Sequence, residues 1–301
     1  MRIAVTGSTG LIGSALVRSL LADGHQVVRL VRQRGRTGPQ PDGTVGVGWN
    51  PHLMRVDTAG LEGVEAVVHL AGAGVGDRRW TDAYKREIRD SRVLGTEAIA
   101  GALAGLKDPP AVLVSGSAVG YYGQTGARVI SETDPAGRDF LASVCVEWEQ
   151  AARPAAEAGI RVVHPRTGLV LSPDGGAGAR LLPLFKLGLG GRLGSGEQYW
   201  SLISLADEVA ALRFLIDTPE LSGPVNLTGL EPVTNRQLTE VLGRVLGRPT
   251  VFAVPEFALR TVLGEMAVEV AGSHRVRPER LLAAGFEFRH GDAEAVVRAA
   301  L

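Results

Sequence analysis

The residues best equipped for chemistry stand at the start of the chain. Glycines 7, 10 and 13 follow a short apolar run, Ile3 to Val5, and precede Leu11, Ala15, Leu16 and Leu20 at helical spacing. The sequence holds 40 glycines, so this spacing carries weight because a strand pattern precedes it and a helix pattern follows. The chemistry it suits is recognition of dinucleotide phosphates. Gly7 supplies a tight turn, Gly10 lets the backbone approach a pyrophosphate, and Gly13 lets the helix close onto the strand. The free N–H groups at the helix start, at Leu11 and Ile12, sit at the positive end of the helix dipole, and the hydroxyls of Ser8 and Thr9 add donors.

The end of the second apolar run decides which dinucleotide is expected. A carboxylate about 20 residues past the glycine turn would hydrogen-bond the ribose hydroxyls of NAD and repel a 2′-phosphate. This chain reads Leu30-Val31-Arg32 there, with Arg34 and Arg36 behind and no acid. A guanidinium is a permanently charged, bidentate clamp for phosphate, so NADP(H) is expected with Arg32 as its ligand. Arg34 and Arg36 fit a solvated loop better.

Alternating patterns supply the elements that hold these residues: strands at 2–6, 26–31, 45–48, 65–70, 111–115 and 161–166, with helices at 11–22, 80–105 and 139–158. That alternation predicts an α/β fold, a Rossmann-type doubly wound parallel sheet covered by helices on both faces. After Arg166 the rhythm changes to glycine-rich loops, a short helix near 181–187, amphipathic helices at 204–216 and 234–246, and an irregular helical tail. The expected organisation is a nucleotide-binding domain over residues 1–166 and a smaller C-terminal α+β substrate domain over 167–301, partly packing back on the first. The 301 residues carry 32 basic and 32 acidic side chains, so neither nucleic acid nor a membrane surface is expected as partner, and a small-molecule substrate is. A single cysteine, Cys145, excludes an internal disulfide framework, and the start lacks a cleavable signal, so a cytoplasmic location is expected. No cysteine or histidine pair stands at metal-ligand spacing, and no metal is expected.

Taken together and in order, TGSTGLIG (6–13), HLAGAGV (69–75), WTDAYKREIRDSRVLGT (80–96), SGSAVGYYG (115–123), SETDP (131–135), DFLASVCVEWE (139–149), PRTGLVLSPDGG (165–176), PVNLTGLEPVTN (224–235) and GFEF (285–288) resemble the extended short-chain dehydrogenases/reductases. Within them the chain is similar to the atypical "epimerase family protein" branch of the NAD-dependent epimerase/dehydratase type. The resemblance runs nearly the whole length. It implies cofactor contacts from Leu70, Ala71 and Gly72 beneath the dinucleotide's centre, from Glu87 and Arg92 on the long helix, and from Ser115, Pro165 and Arg166. Asn50 or Trp49 stands where relatives place an adenine-contacting acid, and His69 reads as a core histidine. Gln198, Tyr199 and Trp200 fall where extended members wrap their substrate, and a homodimer built on paired helices is common in the superfamily.

The same resemblance exposes a gap. Superfamily catalysis uses a Ser, a Tyr and a Lys four residues after the Tyr; the Tyr moves a proton at the reacting oxygen and the Lys lowers its pKa. Ser117 matches the serine, but aligning the helix by Glu149 puts Leu141 at the tyrosine position and Cys145 at the lysine position. Tyr121 and Tyr122, just beyond Ser117, are the replacement candidates. The expected function is therefore an NADP(H)-binding oxidoreductase or epimerase on a small carbonyl, alcohol or sugar-like substrate. The alternative is a catalytically silent NADP(H)-binding sensor or interaction protein.

Overall fold

The computed structural model describes residues 1–32 and 34–301, Arg34 through its backbone alone. The central sheet has ten strands among the described residues, and seven of them make its parallel body: β1 (Arg2–Thr6), β2 (Gln26–Val31), β3 (Val45–Asn50), β4 (Ala66–His69), β5 (Val112–Ser115), β6 (Arg161–Thr167) and β7 (Gly223–Leu227). Their order across the sheet is β7-β6-β5-β4-β1-β2-β3, and every neighbouring pair is parallel. The two-residue strands Gly38–Pro39 and Arg55–Val56 pair antiparallel with β3, and Ser117–Ala118 pairs parallel with β6. A doubly wound Rossmann-type sheet is thus present, and its order reverses between β1 and β4, where a crevice opens at the strand ends.

Because side chains alternate along a strand, β1 feeds two cores. Ile3 and Val5 pack with Leu16, Val17 and Leu20 of α1 (Leu11–Ala22) and with Leu212 and Leu215 of α6 (Leu205–Asp217) on one face. On the other face, Ala4 joins Val28, Leu30, Val67 and Leu113 against Ile99 and Leu103 of α2 (Asp82–Ala104). The helix expected over 139–158 is two helices, α3 (Phe140–Gln150) and α4 (Arg153–Glu157). Pro154 explains the break: it donates no hydrogen bond and fits the first turn of a helix, not its interior.

Beyond β6 the chain builds a second core in which Leu182 and Phe185 of α5 (Gly178–Lys186) meet Trp200, Leu238 and Leu242 of α7 (Asn235–Leu246), and Val296 and Val297 of the last helix. The start of α7 is closed by a capping box, Thr234 with Gln237, and its end by Gly247 at φ 62°. The C-terminal portion also returns β7 and α6 to the main sheet. No helix of the described residues is long and apolar enough to cross a membrane.

Candidate cofactor and active site

At the crevice predicted by the strand order lies a cleft of about 520 Å³. The glycine turn after β1 forms one side through Gly7, Ser8, Thr9 and Gly10. The end of β2 contributes Leu30, Val31 and Arg32, and the end of β3 contributes Trp49, Pro51 and His52. Residues 70–74 after β4, with Glu87 and Ser91 of α2, close the far side.

The three glycines serve the site in different ways. Gly7 adopts φ 63°, and a Cβ there would lie 2.7 Å from the Leu70 carbonyl carbon and oxygen, so the turn abuts the segment after β4. At Gly13 a Cβ would lie 2.2 Å from Gly7 O, which is the close helix-on-turn packing the sequence implied. A Cβ on Gly10 would meet no protein atom nearer than Gly7 O at 3.3 Å, and Gly10 lines the cleft, so its missing side chain keeps that wall open. Leu11 and Ile12 pack against the sheet core, and neither they nor Gly13 line the cleft.

The floor is fixed by a residue that pattern reading passed over. Thr6 Oγ1 accepts hydrogen bonds from the backbone N–H groups of Leu70 at 3.0 Å and Ala71 at 3.1 Å, and stands 2.7 Å from His69 Nδ1. With the oxygen accepting twice, its one proton goes to Nδ1, which leaves the ring hydrogen of His69 on Nε2. Burial pushes the His69 pKa down to about 4, so the ring is neutral at physiological pH. A threonine directly before the glycine turn, in register with His69 across β1 and β4, was the available signal.

Segment 72–74 is held from behind. The Ala73 N–H donates to Ser91 Oγ at 3.0 Å, and Arg92 Nη1 donates to the carbonyls of Ala73 at 2.9 Å and Ile88 at 3.0 Å. The Arg92 guanidinium lies 5.0 Å from the centre of the Trp148 ring. Arg92 thus braces the wall without lining it, while Glu87 lines the cleft and pairs with Arg78 at 3.8 Å. Arg32 and Arg36 both line the cleft and both are exposed, so the solvated turn expected of Arg36 borders the cleft; the side chain of Arg34 lies outside the described residues. Asn50 uses its Oδ1 to cap the turn Pro51–Leu53, accepting from Leu53 N at 3.2 Å, whereas Trp49 lines the cleft edge-on to His69.

A second group of chemistry-bearing residues gathers beside β5 and β6, outside that lining. Ser117 Oγ donates to Glu149 Oε1 at 2.7 Å. The same carboxylate receives Arg166 Nε at 2.8 Å and Nη2 at 2.9 Å, a bidentate pair whose arginine side chain is 3% exposed. Arg166 Nη1 donates to Tyr122 Oη at 2.9 Å, and Tyr122 Oη donates to Asn226 Oδ1 at 2.7 Å. The guanidinium carbon lies over the Tyr121 ring, 3.4 Å from its centre. Burial pushes the Tyr122 phenol up to about 12. Burial alone would weaken the charge on Arg166; hydrogen bonds and charge from Glu149 more than offset it, and its pKa ends above the usual arginine value. Tyr121 is partly exposed, and its hydroxyl has no hydrogen-bond partner among the described residues. Glu149 is the member of this network that motif reading used only as an alignment marker.

Leu141 packs beside Gly120, and Cys145 is buried with its thiol pushed up to about 12 by desolvation, so it is neutral. Ser115 is fully buried with Oγ unpartnered among the described residues, and Pro165 is likewise interior on β6. Gln198 is buried and donates to Leu193 O at 2.9 Å, and Trp200 belongs to the second core. Tyr199 is partly exposed and carries Arg275 4.5 Å over its ring. Among the described residues no group of histidine, cysteine or carboxylate side chains is arranged to hold a metal ion.

The model of the NAD dependent epimerase/dehydratase family matches residues 3–227. The chain belongs to that family. A domain of unknown function, DUF1731, matches residues 254–300. An epimerase family protein of Mycobacterium tuberculosis is 49% identical over 289 residues, covering 96% of this chain and 93% of the relative. The human epimerase family protein SDR39U1, solved with NADPH, superimposes with a TM-score of 0.90 at 30% identity, over 100% of this chain and 99% of that one. A nucleoside-diphosphate sugar epimerase of Corynebacterium glutamicum aligns with a TM-score of 0.81 at 33% identity over 100% of this chain and 58% of its own. The resemblance read from the motifs and the Rossmann-type fold are both borne out by these matches.

Proposed function

We propose that this family member binds NADP(H) in the cleft at the ends of β1 to β4 and uses it for redox chemistry on a small carbonyl, alcohol or sugar-like substrate. The observation that carries the reading is the end of β2: Arg32 lines the cleft beside Arg36, with no carboxylate at the position that would select NAD. The human relative solved with NADPH supports the same cofactor. Gly7, Ser8, Thr9 and Gly10 line the cleft at the start of α1 and would receive the pyrophosphate there. Leu70, Ala71 and Gly72 would run beneath its centre, and Arg32 would take the 2′-phosphate. When bound, the dinucleotide supplies or accepts a hydride.

For the proton, Tyr121 is the donor or acceptor this reading assigns. Tyr122 has its hydroxyl committed to Asn226 and Arg166, whereas Tyr121 Oη is uncommitted and a fixed cation lies against its ring face, where charge developing during proton transfer is stabilised. Ser117 gives its proton to Glu149, so toward a ligand it presents acceptor lone pairs. The silent-binder reading draws on the same network, because Ser117, Glu149, Arg166 and Tyr122 are already paired with one another.

Fluorescence titration of the purified protein with NADPH and NADH tests the cofactor, and Arg32→Glu tests its basis. Tighter NADPH binding that falls at least tenfold in the variant, with NADH little changed, is the expected result. Equal weakening of both would remove the 2′-phosphate assignment. Loss of NADPH oxidation on a carbonyl panel in Tyr121→Phe, with cofactor affinity kept, would support the enzyme; unchanged turnover would remove Tyr121 from it.

A further inference from the structure

The lining of the cleft includes Arg78, with Asp77 beside it, on the stretch between β4 and α2. Its two sequence neighbours make contacts with the C-terminal portion of the chain. Asp77 pairs with Arg180 of α5 at 3.9 Å, and Arg79 Nη2 donates to Thr261 O at 3.2 Å. Nearby, Lys85 Nζ binds Glu265 at 2.9 Å, and Met266 Sδ stands 3.8 Å from where a Cβ on Gly76 would be. Within the stretch, Trp80 Nε1 donates to Val75 O at 2.9 Å and Tyr84 Oη donates to Gly74 O at 2.5 Å. Residues 73–81 are therefore a strap, pinned at several points to 180 and 261–266, that turns the Arg78 cation toward the cleft beside the Asp77 carboxylate.

That cation is weakly engaged. Arg78 is 72% exposed, lies 5.7 Å over the Tyr84 ring, and approaches Glu87 no closer than 3.8 Å. An exposed pair of this kind is worth little, and a phosphate offers a better-matched partner to a guanidinium. We propose that Arg78 is a ligand for the dinucleotide's pyrophosphate, carried on a strap that the region matched by the domain of unknown function holds in position. The inference rests on the cofactor reading above. That region then has a structural role: by docking residues 261–266 against Arg79 and Lys85 it sets the width of the cleft, so cofactor affinity and docking of this segment are linked reciprocally.

The unsubstituted protein, Arg78→Ala, Arg78→Lys and Arg79→Met are titrated with NADPH, with ADP-ribose, which has the pyrophosphate but no 2′-phosphate, and with adenosine 2′-monophosphate, which has no pyrophosphate. Arg78→Ala should weaken NADPH and ADP-ribose about tenfold and leave the monophosphate unchanged. Arg78→Lys should fall between, and Arg79→Met should weaken ADP-ribose in the same direction. Hydrogen exchange with saturating NADPH should slow at 261–266 as well as at the glycine turn. Unchanged ADP-ribose affinity in Arg78→Ala, or equal loss for all three probes, would overturn the assignment. Protection confined to the glycine turn would overturn the linkage. Failure of the wild type to bind any probe would instead overturn the cofactor reading on which both stand.

Discussion

Arg166 and Glu149 make the most demanding test of the interior. The guanidinium donates to the carboxylate through Nε and Nη2, at 2.8 and 2.9 Å, and to Tyr122 through Nη1, while lying on Tyr121. The two side chains are 3% and 13% exposed, so neither is rehydrated easily when its partner is lost. Arg166→Met leaves a buried carboxylate without its cation, with only Ser117 still donating to it, and should cost about 3–5 kcal/mol. Glu149→Leu strands the guanidinium and removes the acceptor of Ser117, and should cost a similar amount. The double variant removes both charges together and should cost less than the sum by about 2 kcal/mol or more. Urea unfolding followed by circular dichroism, with equal slopes across the four proteins, measures the cycle. A cost for Arg166→Met below about 1 kcal/mol, or additive losses in the double variant, would show that the pair behaves as a surface pair and refute this account of the interior.

Two further predictions concern single positions. Gly13→Ala places a methyl 2.2 Å from Gly7 O, backbone against backbone, and should destabilise the fold by about 1–3 kcal/mol and abolish NADPH binding, checked by thermal unfolding with and without NADPH. Glu208 is fully buried, accepts a bond from Thr167 Oγ1 at 2.8 Å through one oxygen, and has its pKa raised by burial to about 8. A raised carboxyl holds more protons folded than unfolded, so its contribution is complete below about pH 4.5 and is lost as pH rises toward 8. Glu208→Gln should flatten the decline of stability over that window, and an unchanged slope would exclude Glu208 as its source.

The local pattern was enough for the scaffold. Glycines 7, 10 and 13 between a two-faced apolar strand and a helical stripe specify a turn that few other structures can use, and a parallel sheet with helices on both faces follows from alternation. The absence of an acid after β2 pointed to a phosphorylated cofactor because charge type is written directly in the sequence. The missing tyrosine and lysine were legible for the same reason. What the sequence could not rank was Tyr121 against Tyr122: adjacent and chemically identical, they differ only in that Asn226 and Arg166, 104 and 44 residues downstream of Tyr122, take up one hydroxyl and not the other. Thr6 as the anchor of the cleft floor, Glu149 as the hub of a buried network and Arg78 on its strap are of this second kind. Each role depends on groups brought together by the pairing of β1 with β4, by the return of β7 to the sheet, or by the C-terminal segment docking beside the cleft. Periodicity reports which face a residue presents; only the packed chain fixes which distant atom meets it there.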